Sequence, residues 1–232
     1  MKMKTGDLTA SIPKYLSDTY AWAYGTPEAV RLFERQWLVN LILWGNFARL
    51  RDKALAALGE RLSGKTLQIA CVYGDLTPKL LAAHTDAGQL DVVDVLPVQV
   101  LNLRNKLGAN ASRVGIHLGN SAAMVYESAS YDRALLFFLL HEQPEDVRRK
   151  TLSEALRVVR PGGKLVIVDY HRPHGFHPLN LPMRAVLSSL EPFALDLWAH
   201  DLAVWLPPGV PVQSIDAQTF FGGLYQLLVI TR

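Results

Sequence analysis

Apolar residues fall into two rhythms along this chain, and the change between them divides it. In the first rhythm Val30, Phe33, Trp37, Leu41, Trp44 and Phe47 recur at three- and four-residue steps, which is helical spacing. Thr26 followed by Pro27 predicts the start, with a hydroxyl cap and a proline at the first helical position. The stretch 37–47 (WLVNLILWGNF) is apolar around most of its circumference, interrupted only by Asn40, Gly45 and Asn46. It predicts a helix covered on two sides. A second helical stretch, Leu55–Leu62, runs to a turn at Ser63-Gly64.

From residue 66 short apolar runs alternate with helical ones. Strands are expected at 66–73, 89–95, 113–120, 131–141 and 164–170, and helices at 78–84, 97–107 and 145–159. The last of these helices is ended by Arg160-Pro161-Gly162-Gly163. Strands separated by helices of this length indicate βαβ units and a parallel sheet. A proline- and histidine-rich loop follows at 171–182, then helix and strand candidates over 183–206, a turn at 207–211 and a final apolar strand within 222–232. A late strand at a chain end commonly runs antiparallel. No internal repeat or low-complexity tract interrupts the pattern.

Composition narrows the classes. The chain has 232 residues, 50% apolar and 19% charged, with a net charge of +3. That is enough to bury a core and too apolar for a disordered chain. The single cysteine, Cys71, excludes a disulfide framework and a multi-cysteine metal site, and reads as a small buried hydrophobe. The first fifteen residues carry lysines with no apolar run behind them, and the longest unbroken apolar run is Ala134–Leu140. A cytoplasmic protein with neither secretion signal nor membrane span is therefore expected. Charge is uneven: residues 1–65 hold ten Lys/Arg against six Asp/Glu, and the remainder fourteen against fifteen. No basic cluster is dense enough for nucleic acid. The basic segment also holds Trp22, Trp37, Trp44, Tyr15, Tyr20 and Tyr24, which suits an anionic membrane surface or an apolar ligand. Its aromatic helix reads either as packing on the sheet or as a lid, with Arg49, Arg51 and Lys53 at lipid headgroups.

Candidate chemistry gathers where such sheets bind ligands, at the C-terminal ends of the strands. The first strand–turn–helix unit (QIACVYGDLTPKL) holds one glycine, Gly74, so neither a dinucleotide fingerprint nor a P-loop is present. Asp94, twenty residues on, is either a carboxylate for two ribose hydroxyls or a turn former. His141-Glu142 follows the fourth strand and Asp169-Tyr170-His171 the fifth. These read as a base with metal-ligand donors, His141 and Glu142 first, or as a capping histidine and surface carboxylates. His171, His174 and His177 read as chemistry or as an ordinary polar loop.

Several segments together carry a resemblance: YGDLT (73–77), Asp94, GNSA (119–122), ALRVVRPGGKLVIVDY (155–170) and GGLYQLLVITR (222–232). They resemble class I S-adenosylmethionine-dependent methyltransferases, within them the quinone-methylating branch, and more closely the rhodoquinone biosynthesis proteins. ACVYGDLT, FLLHEQP, DYHRP and FFGGLYQ are similar to that last family, over roughly residues 12–232. The resemblance implies a doubly wound, mostly parallel seven-stranded α/β sheet with an antiparallel last strand and an N-terminal helical cap. It divides the chain into a cap, 1–62, facing quinone and membrane, and a cofactor-binding core, 63–232. It implies S-adenosylmethionine contacts at Gln68, Ala70, Tyr73, Gly74, Asp94, Val95, Asn120 and Ser121; catalysis is expected of His141, Glu142, Asp169 and His171 from their place at the strand ends. It also implies a divalent ion, manganese, for which His141 and Glu142 are the expected ligands by position, a ubiquinone substrate, and peripheral attachment to the inner membrane.

The expected reaction replaces a ring methoxy with an amino group, S-adenosylmethionine supplying the nitrogen. The departures from the ordinary motif bear on this. An acidic residue is expected at Gln68 and glycines at Ala70, Val72 and Gly74, and only Gly74 fits. A carboxylate at 68 would hold the proton of the cofactor's ammonium, whereas a neutral Gln leaves the amine easier to deprotonate. A plain quinone or small-molecule methyltransferase, and a non-catalytic binding module of the same fold, remain the alternatives.

Overall fold

The computed structural model describes residues 12–20 and 27–232, so the expectations at Trp22, Tyr24 and Thr26 lie outside the described residues. Among the described residues four helices precede the sheet: α1 (Lys14–Thr19), α2 (Pro27–Phe33), α3 (Gln36–Ile42) and α4 (Phe47–Leu58). The continuous stripe Val30–Phe47 is thus cut twice. At Arg35 the backbone turns extended, and at Trp44 and Gly45 φ becomes positive, 51° and 76°, which an α-helix does not accommodate. The Asn46 side chain ties this second turn by donating to the carbonyls of Leu43 and Trp44.

The core alternates as expected: β1 (Leu62–Ile69), α5 (Leu76–Ala83), β2 (His84–Asp94), α6 (Pro97–Leu107), β3 (Val114–Leu118), β4 (Tyr131–Phe137), α7 (Glu145–Val158) and β5 (Val159–Tyr170). Then come α8 (Asn180–Leu190), α9 (Ala194–Ala199), β6 (Ser214–Phe220) and β7 (Tyr225–Thr231). The seven strands form one sheet in the order β3-β2-β1-β4-β5-β7-β6. β1 to β5 pair in parallel, and β7 lies antiparallel between β5 and β6. This is the expected fold, but the strand candidates over 183–206 are helical and the additional strand is β6, at Ser214–Phe220. β6 is exposed at every position but Phe220 and so leaves no hydrophobic run to read.

Burial on both faces makes the central strands read as continuous apolar runs. On β4, Leu135 and Phe137 join the core shared with α4, α5, α6 and α8, while Ala134 and Leu136 join the core against α7. Strand order reverses beside β1, and the crevice of such a sheet opens there, at the C-terminal ends of the strands.

Candidate functional site

A cavity of about 600 Å³ occupies that crevice. Its walls come from the loop after β1, the ends of β2, β4 and β5, helix α8 and the N-terminal helices. Ala70, Tyr73, Asp94, Val95 and Asn120 line it near the ends of β1 to β3, His141 and Glu142 beyond the end of β4, and Ser121, which accepts the Gln143 amide at 3.2 Å, lies between them. Eight of the expected site residues therefore share one space.

At the first end, Asp94 is buried where β2 stops. Its carboxylate accepts the backbone N–H of Cys71 (2.6 Å) and of Leu96 (2.8 Å). Burial outweighs these bonds and pushes the carboxyl up to about 6. A carboxylate fixed by backbone amides, with Asn120 and Ser121 nearby, fits a nucleoside whose ribose hydroxyls would donate to it. Ala70 sits at φ 74°, a left-handed conformation where glycine is the unstrained residue. The loop has thus kept a glycine-like path at this position while losing the glycine.

Two expected contacts of this loop lie elsewhere. Gln68 is fully buried: its amide donates to the Ala70 carbonyl (2.9 Å) and accepts the Thr77 hydroxyl (2.9 Å). Both ends of the side chain are used beneath the loop, so Gln68 supports the turn and is not among the cavity residues. Gly74 likewise points away, its N–H taken by the Glu34 carboxylate at 3.0 Å.

At the other end, His141 Nδ1 lies 2.8 Å from Asp169 Oδ1. Asp169 is wholly buried at the end of β5, and its oxygens also accept the N–H groups of Leu140 (2.8 Å) and Tyr170 (2.8 Å). The carboxylate is thereby locked, and it locks the ring. Burial alone would lower the imidazole, but Asp169, joined by Glu191 and Glu142, pushes it up to about 9. The pair with Asp169 thus favours the charged form of the ring. Its Nε2 lies 4.0 Å from Glu142 Oε1. Glu191, at the C-terminal end of α8, also lines the cavity; burial raises its carboxyl, while His141 and the Tyr20 hydroxyl pull it back. Sequence reasoning missed Glu191 because it stands alone, fifty residues from His141.

These donors do not fit the expected divalent ion. Among the described residues no group of three or more His, Cys, Asp or Glu is arranged to hold one. His171 is also displaced from the site. Its Nδ1 lies 2.8 Å from the Gly223 carbonyl, and it borders a separate polar depression with Arg172, His174 and His200. His174 and His177 cover the turn before β7: a Cβ on Gly223 would stand 2.6 Å from the His174 ring, and one on Gly222 2.3 Å from the His177 ring. The histidine loop is clasped onto the glycine pair, which is the structural reading of both segments.

The cavity opens between α3 and α8, where the Trp44 indole N–H meets Met183 Sδ at 3.1 Å. Leu41, Ile42, Val186 and Leu190 line the opening and are partly exposed, with Trp37 and Leu181 exposed on the same helices. Arg51 is not available to a lipid surface: it is buried in ion pairs with Asp52 and Asp75. No described helix is long and apolar enough to cross a membrane.

Residues 66–163 match the family model of the methyltransferase domain. The chain is 23% identical over 137 residues to a demethylmenaquinone methyltransferase of Bacillus licheniformis, covering 59% of this chain and 58% of that protein. It is 28% identical over 146 residues to the ubiquinone/menaquinone biosynthesis C-methyltransferase UbiE of Cronobacter sakazakii, covering 62% of this chain and 57% of that protein. The chain thus matches little more than half the length of these relatives. A SAM dependent methyltransferase from Aquifex aeolicus has the same fold, with a TM-score of 0.55 at 18% identity over 88% of this chain and 97% of that one.

Proposed function

We propose, from the premise that residues 66–163 are a class I S-adenosylmethionine-dependent methyltransferase domain homologous to quinone C-methyltransferases, that this protein modifies a quinone ring using S-adenosylmethionine. The observation that carries this reading is the single cavity joining Asp94 to the His141–Asp169 pair and opening between apolar helices. A nucleoside belongs at the Asp94 end, a flat ring at the His141 end, and an apolar tail in the opening past Leu41, Ile42 and Leu190.

S-adenosylmethionine, when bound, supplies the activated methyl group. The chain's own residues do the rest. Asp94 accepts the ribose hydroxyls, and Asn120 and Ser121 sit at the base. His141 donates a hydrogen bond to a ring oxygen and stabilises negative charge there, with Asp169 holding the imidazolium in place. Glu191, whose carboxylate burial makes a stronger base than an exposed one, accepts the proton released from the ring. Methyl transfer to ring carbon is the reaction in the relatives' names and is our first reading.

Amino-for-methoxy exchange is the second, favoured by a specific observation: Val72 and Tyr73 present side chains to the cavity beside the strained Ala70. The methionine end of the cofactor meets a surface unlike a glycine loop. In that reaction an amine would add to the methoxy-bearing carbon and the methoxy group would leave as methanol with the amine's proton; freeing the nitrogen from the donor's α-carbon would then reduce the quinone ring to a quinol by two electrons, with water hydrolysing the resulting imine to an amino quinol and a 2-oxo acid. A protonated His141 at the ring carbonyl assists it equally.

The opening also suits a bilayer surface, with exposed Trp37, Leu41 and Leu181 beside Arg35 and Arg184.

Mass spectrometry of a short-chain ubiquinone and of its ring-demethylated quinol, each incubated with S-adenosylmethionine, distinguishes the readings. A methyl gained by the quinol supports the first, and an amino group in place of methoxy on the ubiquinone supports the second. Neither product, in protein that remains folded, overturns both.

A further inference from the structure

The loop Ala70–Gly74 is the least ordinary part of the cofactor end, and an ion-pair clamp from α6 and the α2–α3 elbow holds it. Lys106, on α6, donates to the carbonyls of Val72 (2.7 Å) and Gly74 (2.9 Å). Its ammonium pairs with Glu34 at 2.8 Å. Glu34 in turn accepts the Gly74 N–H through Oε1 at 3.0 Å and the Asn102 amide through Oε2 at 2.7 Å. Both charged side chains are largely buried, 12% and 23% exposed, so solvent screening of the pair is weak.

Glu34 lies in the elbow between α2 and α3. The residue before it, Phe33, stacks on Tyr73 of the loop with centroids 5.9 Å apart and planes 27° apart. Phe33 and Tyr73 both line the cavity. Beyond the elbow, α3 forms the wall of the apolar opening through Leu38, Leu41 and Ile42. One carboxylate therefore joins the loop that faces the nucleoside end to the helix that faces the ring and tail.

We propose that Glu34, held by Lys106, is a positioning residue that couples the two ends of the cavity; this rests on the functional reading above. The clamp points the Val72 and Gly74 carbonyls at one ammonium and so fixes a loop that glycines no longer shape. A ligand that settles the loop settles the elbow, and with it the α3 wall. By linkage the effect is reciprocal: a ring ligand tightens the cofactor end by the factor that a cofactor ligand tightens the ring end.

The test is calorimetric titration of the full chain with S-adenosylhomocysteine, with and without a short-chain ubiquinone. The wild-type protein should bind the nucleoside about fivefold tighter or more when quinone is present. In Glu34→Gln that ratio should fall to near one. Asn102→Ala, which removes a single bond to Glu34, should give an intermediate ratio and covers the case in which the first variant fails to fold. Glu145→Gln, at an exposed helical pair with Arg149, should leave the ratio unchanged. Wild-type coupling retained in Glu34→Gln or Asn102→Ala overturns the inference alone, as does a wild-type ratio near one. A wild-type chain that binds no S-adenosylhomocysteine overturns the functional reading and the inference with it.

Discussion

Two sets of histidines stand at the same edge of the sheet and do opposite things. His141 is buried against a carboxylate that is itself held by backbone amides, and so becomes a fixed positive charge facing a cavity. His174 and His177 lie over Gly223 and Gly222, their rings filling the space where a side chain would be. The difference lies in the partner. A carboxylate gives a histidine a charge and an orientation, whereas a glycine gives it a surface to cover. A histidine-rich segment thus signals chemistry only when the fold brings it an acid, and here the isolated His141 has one.

Removing the acid should break the contrast most severely. Asp169→Asn, which keeps the shape and loses the charge, should lower turnover by about 10²–10⁴-fold, the range of acid–base contributions. His141→Gln should do the same. Steady-state kinetics check both, and near-normal turnover in either would put His141 with the structural histidines.

Next in size is the glycine side. Gly222→Ala places a Cβ 2.3 Å from the His177 ring at φ 61°, and should cost about 1–3 kcal/mol in denaturant unfolding. Adding His177→Ala removes the clash but not the backbone strain, so a double-mutant cycle should recover only part of the loss.

Smaller effects follow from protonation. The Asp94 carboxyl, at about 6 in the free protein, must ionise to accept ribose hydroxyls, so nucleoside affinity should rise between about pH 5 and 7 with proton release. Titration in buffers of different ionisation enthalpy measures it, and an affinity flat over that window would count against the role. For His141 the folded value of about 9 exceeds the ordinary 6.5. Its stabilising share is therefore complete below about pH 6.5 and is lost as pH rises through 9. The thermal midpoint of the wild type relative to His141→Gln should fall across that interval.

Much of this was legible beforehand. Helix α6 runs from Pro97 to Leu107, the bounds expected from the sequence. Asp94 ends β2 and His141 follows β4, as the order of apolar runs leads one to expect. What escaped depends on contacts between distant segments. The cut at Trp44 is a backbone event inside an unbroken apolar stripe, and the polar edge strand β6 has no pattern to detect. Gln68 was misplaced because the sequence shows its type, while its burial depends on Thr77 and the loop carbonyl. Glu34 and Lys106 are 72 residues apart and adjacent to nothing distinctive.

The central claim is that one cavity has a nucleoside end and a reacting end with separate residues. S-adenosylhomocysteine titrated into the wild type, Asp94→Ala and His141→Gln tests it most directly. The account predicts that Asp94→Ala weakens binding by about tenfold or more, as the loss of hydrogen bonds to a charged group requires. His141→Gln should bind as the wild type does and yet fail to turn over. Equal binding by the wild type and Asp94→Ala would contradict it.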